Sequence, residues 1–75
     1  MVRMENIERN GNKISLDCYE EGDSARVHHV EFDADTLEIT NQAVNNMYVK
    51  QSIAKIWKFL HEKAELPRSA SSYWY

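Results

Sequence analysis
At 75 residues the chain is a single domain, close to the lower size at which a hydrophobic core suffices, and this argues against a large catalytic cleft. Hydrophobic residues at 43% and charged residues at 28% exclude a disordered chain and describe an ordinary globular one. The formal charge of −3 is uneven: residues 1–40 hold ten Asp or Glu against four Lys or Arg, net −6, whereas residues 41–75 hold two against five, net +3. Attraction between the two parts within one fold accounts for this, and an acidic face offered to a basic partner is the sharper alternative.

The N-terminus lacks the apolar run of a secretory signal, and no apolar stretch approaches the roughly 20 residues that span a bilayer, so no membrane role is expected. Met4 makes residues 1–3 readable as a start-site extension. Met4 to Arg9 is a weak strand, because Met4 and Ile7 break strict alternation. Asn10-Gly11 then signals a hairpin, since these two residues best tolerate the positive φ of a type I′ turn. Lys13 to Glu20 alternates cleanly, with Ile14, Leu16 and Cys18 on one face. Glu20 to Ser24 reads as a solvated turn. In Ala25 to Phe32, Val27 and Val30 differ in parity, which requires either a bulge near His28 and His29 or one outward valine; Val30 and Phe32 are assigned inward. Asp33 to Thr36 forms a turn, and Leu37 to Thr40 is expected to return as a fourth strand with Leu37 and Ile39 inward.

Asn45 or Asn46 supplies the N-cap of a helix over Tyr48 to Glu65, which Leu66-Pro67 ends. At roughly 100° per residue, Val49, Ile53, Ile56, Trp57, Leu60 and Ala64 form one apolar stripe, flanked by Tyr48 and Phe59. Trp57, at its centre, is expected to be buried against Leu16, Val30 or Ile39. The fold class is therefore α+β: an antiparallel sheet of three or four strands, a β-meander, followed by one long C-terminal amphipathic helix packed on one face. Residues 1–67 form the domain and residues 68–75 an aromatic tail.

Neither catalysis nor a metal site has positive support. His28 and His29 are neighbours in a strand and point to opposite faces, so they do not converge on one ion. Cys18 shares a face with Ile14 and Leu16, where a cysteine is a small buried hydrophobe, and as the only cysteine it forms no intramolecular disulfide, which makes the cytoplasm the default compartment. No phosphate-cradling loop, dinucleotide fingerprint or Ser-His-Asp spacing occurs, and neither a cofactor nor a small-molecule substrate is implied.

Tyr73, Trp74 and Tyr75 stand out, because three of eight aromatic residues close the chain where most proteins are polar. Either they fold back over a sheet edge or helix flank, or they anchor a partner or a second copy. The expected function is a small cytosolic protein-interaction module, acting on a macromolecular partner or by self-association; an accessory or inhibitor protein of a phage or mobile element fits its size and acidity. The alternative is a nucleic-acid-binding regulator using Lys50, Lys55, Lys58 and Arg68.

Overall fold
The computed structural model describes residues 1–62 and 65–74. In chain order the elements are β1 (Val2–Asn10), β2 (Lys13–Glu20), β3 (Val27–Asp33), α1 (Met47–His61) and β4 (Ala70–Ser72). The sheet is antiparallel with order β3-β2-β1-β4, so a three-strand meander is extended by a strand that returns to the far side of β1. The α+β class and the helix on one face are as expected. The helix does not end the fold: it is 15 residues long, and β4 follows it.

Alternation in β2 places Ile14, Leu16 and Cys18 inward, and all three are fully buried. The broken alternation of β1 has a local cause. Asn6 and Ile7 together oppose Leu16, because Glu5 pairs with Asp17 and Glu8 with Ser15. Asn6 takes φ +54 in this bulge, a conformation asparagine tolerates better than most residues, and the extra residue turns Ile7 back to the core beside Met4. Val2, fully buried, pairs with Glu20 and Ser72, so Val2 and Arg3 are part of the sheet, and the Met1 carbonyl beside them accepts the Glu21 N–H. The first hairpin loop is Gly11-Asn12, one residue later than expected. Positive φ falls on Gly11 alone, the pattern of a type II′ turn rather than I′.

In β3 the register is regular, Val30 and Phe32 are buried, and Val27 is the outward valine. The expected fourth strand over Leu37 to Thr40 does not form; a single bridge joins Phe32 to Ile39. Leu37 adopts φ +63, and the Asp33 carboxylate accepts from the N–H groups of Asp35 and Thr36, so the chain coils before it can run alongside β3. The β3 edge is nonetheless covered. Thr40 N–H donates to the Glu31 carbonyl, and the Asn41 amide bonds both the Glu31 N–H and the His29 carbonyl, as a neighbouring strand would.

Helix α1 begins at Asn46, whose Oδ1 accepts from the Val49 N–H at 2.9 Å. Its buried face is Val49, Ser52, Ile53 and Ile56, packed over β1 and β2, while Ala34, Leu37, Ile39 and Ala43 close the core over β3. Trp57 is 43% exposed and does not stand at the centre of the stripe. Ser52 occupies the position that a wheel read by hydrophobicity passes over. Its hydroxyl donates to the Tyr48 carbonyl at 2.9 Å and reaches Cys18 Sγ at 3.3 Å, so it is satisfied in the core while its small size lets the helix approach β2. Ala64 lies outside the described residues.

Candidate interaction surface
The C-terminal residues divide between packing and exposure. The Trp74 ring meets Tyr48 edge-on, with centroids 5.6 Å apart, and packs against the core. Tyr73, adjacent to β4, is 69% exposed. Tyr75 lies outside the described residues. On the opposite flank of α1 the half-exposed Trp57 ring stacks on His61, with centroids 4.7 Å apart.

The four basic residues singled out in the sequence are separated in space. Lys55 and Lys58 are about 60° apart around α1, and both line a cleft with Gln51, Ser71, Ser72 and Tyr73, of about 420 Å³. Lys50 is about 140° around the helix from Lys55 and lines a different groove, of about 650 Å³, with Leu37, Ile39, Ala43 and Ile53. Arg68 sits between α1 and β4. Its carbonyl accepts the Ile7 N–H at 3.0 Å, and its guanidinium lies 3.8 Å from Glu8.

The outer sheet face is a polar lattice. His29 places Nδ1 3.0 Å from Asp17 and Nε2 3.3 Å from Glu31, and Lys13 reaches Glu31 at 3.3 Å. Asn6 donates to Asp17, which with His29 lowers the Asp17 pKa; Lys13 and His29 do the same for Glu31; and Asp17 above all raises that of His29. Arg3 lies over the Tyr19 ring at 4.6 Å. Among the described residues, Val27, 47% exposed, is the large aliphatic side chain that this face shows to solvent.

On the inner side, at the end of β2, Glu20 is only 7% exposed and is no part of a solvated turn. Its Oε1 accepts from Arg26, and its Oε2 meets His28 Nε2 at 2.5 Å and the Asn46 Nδ2 donor at 3.0 Å. These partners, His28 foremost, hold its carboxyl below the usual range. The sequence did carry the signal, since Glu20 continues the inward parity of Ile14, Leu16 and Cys18. His28 and His29 point to opposite faces as expected, each to its own carboxylate. Among the described residues no group of three His, Cys, Asp or Glu side chains is arranged to hold a metal ion, and no helix is long and apolar enough to cross a membrane. Burial pushes the Cys18 thiol pKa up, away from nucleophilic character.

Set against family models, curated proteins and solved structures, the chain matches none of them.

Proposed function
We propose that the chain is a small interaction module, acting by binding a macromolecular partner or by self-association through the exterior of α1 and the C-terminal segment. The observation that carries this reading is Tyr73. It is largely exposed, yet it directly follows a strand that is paired into the sheet, so its ring is presented from a fixed base. Trp57 adds a second half-exposed aromatic group on the other flank of the same helix. Tyrosine and tryptophan are the side chains that most often anchor interfaces, because each offers a large contact area for little conformational entropy.

The nucleic-acid alternative has less support, because Lys55 and Lys58 converge whereas Lys50 and Arg68 lie elsewhere, and phosphate binding needs several cations on one surface. The test compares the parent with a Trp57→Ala, Tyr73→Ala double variant, by sedimentation over a concentration series and by affinity capture with crosslinking. A dimer or a captured protein seen with the parent and lost in an equally stable double variant supports the reading. A monomeric parent that captures nothing beyond what the double variant captures defeats it.

A further inference from the structure
The cleft between α1 and β4 has the chemistry of a receptor for a strand. Strand β4 pairs with β1 on one side and, among the described residues, has no strand neighbour on the other, so it ends the sheet with an edge able to accept another chain. Beside that strand stand Lys55 and Lys58, joined in the lining of the cleft by Gln51 and Ala54 of the helix and by Ser71, Ser72 and Tyr73. Among the described residues no carboxylate lines this cleft, although Glu62 lines the neighbouring depression that the same two lysines share with Phe59. Lys55 lies 5.9 Å above the Phe59 ring, and neither lysine has an ion-pair partner among the described residues. The opposite edge of the sheet is different: on β3 the Thr40 N–H and the Asn41 amide already occupy the backbone groups that a new strand would use.

From this contrast we infer that the β4 edge binds an extended acidic segment of another protein, which adds as a fifth strand with its carboxylates facing Lys55 and Lys58. The inference rests on reading the chain as an interaction module and names its partner's chemistry. Backbone pairing supplies affinity in such additions, and side chains on one face of the added strand supply specificity. Successive side chains of a strand alternate between faces, so the partner's acidic residues fall at every second position. A second copy of this chain fits poorly here. Antiparallel pairing of β4 with itself about a two-fold axis puts both helices on the same side of the joint sheet and brings the lysines of one copy toward those of the other. Repulsion between like charges then works against the homodimer and selects an acidic strand instead.

The test uses the full chain and a short peptide alternating threonine and glutamate, with a threonine–lysine peptide as its counterpart. Binding is followed by fluorescence anisotropy, and its place by hydrogen–deuterium exchange. The expected result is binding of the glutamate peptide alone, slowed exchange over residues 70–73, and about tenfold weaker binding after Lys55→Glu with Lys58→Glu, since two exposed ion pairs are lost. The milder Lys55→Gln, Lys58→Gln pair weakens binding in the same direction and guards against a folding defect in the first variant. Absence of binding, binding insensitive to both lysine pairs, or protection elsewhere overturns the inference. So does binding of a single-stranded oligonucleotide through these lysines in place of the peptide. A dimer protected over residues 70–73 identifies a second copy as the occupant and overturns it too, while leaving the interaction-module reading intact. A chain that neither binds the peptide nor self-associates and captures no protein loses both.

Discussion

Glu20 is the residue at which three elements meet: the end of β2 that carries it, the approach to β3 through Arg26 and His28, and the helix N-terminus through Asn46. One asparagine therefore caps α1 with its oxygen and ties it to the sheet with its nitrogen. Removing the carboxylate takes the shared acceptor from Arg26 and from the half-buried His28 and Asn46, which is costlier than never having had the group. Glu20→Ala should lower the melting temperature and accelerate amide exchange at Val49, where the cap is made; an unchanged melt with an unchanged Val49 rate would show that the cluster is incidental. The histidine on the outer face gives a second prediction. A neutral imidazole donates from one nitrogen only, so the contacts of His29 with both Asp17 and Glu31 favour the imidazolium and raise its folded pKa above 6.5. The contribution of His29 is then complete below pH 6.5 and lost as pH rises through the folded value. The carboxyls of Asp17, Glu20, Glu31 and Asp33 are lowered, so theirs is complete above the ordinary carboxylate range and lost as pH falls through the folded values. Stability should therefore peak at mildly acid pH, and His29→Gln should flatten the alkaline side of a plot of denaturation midpoint against pH, with a smaller change on the acid side because His29 helps lower the carboxyls of Asp17 and Glu31. Parallel alkaline limbs for parent and variant would refute the assignment.

At the scale of elements, α1 shows how a correct period can still give the wrong face. Hydrophobicity alone rotates the buried stripe toward Trp57, because nothing in residue type distinguishes a buried serine from a solvated one. The buried face is instead turned toward Ser52, which finds its hydrogen bond on the preceding turn and its place beside Cys18. Ile56→Ala should cost about 2–5 kcal/mol by leaving a cavity, whereas Trp57→Ala, at a half-exposed site, should cost about 1 kcal/mol or less. Denaturant titrations giving the reverse order would show that the helix lies on its other flank. Elements governed by local rules were legible: the alternation of β2, the inward Val30 and Phe32, and an asparagine cap at position 45 or 46, which falls to Asn46. The bulge at Asn6 was visible only as a broken pattern in β1. Leu37 to Thr40 carries a strand-like pattern, but the positive φ of Leu37 and the Asp33-capped coil arise from a turn whose geometry no periodicity records.

For the whole molecule, the acidic first part and basic second part do not simply neutralise each other. Glu31 pairs with Lys13 and His29, and Glu20 with Arg26 and His28, all within the first part; Arg68 to Glu8 joins the two parts, while Lys50, Lys55 and Lys58 have no carboxylate within ion-pair distance among the described residues. The basic surplus is thus left on the helix exterior, the surface to which the functional reading points. What most changes the architecture is the return of the chain after α1, which no local pattern announces: Ala70-Ser71-Ser72 has weak strand propensity and becomes a strand only because β1 offers it an edge. That edge is where the fold is most exposed to failure. Val2 and Met4, both fully buried, pair with Ser72 and Ala70, the Ile7 N–H bonds the Arg68 carbonyl, and Trp74 covers Tyr48. Deleting Ser69 to Tyr75 strips all of these but the Arg68 contact and opens β1 as a free edge with apolar neighbours. The truncated chain should lose roughly 2–4 kcal/mol in a denaturant titration, since a large aromatic group and part of two core residues return to water, and it should aggregate at concentrations where the full chain stays dispersed. Equal midpoints and equal solubility would mean that β4 contributes nothing to the sheet. In that case the segment would serve only the partner whose strand it is inferred to receive.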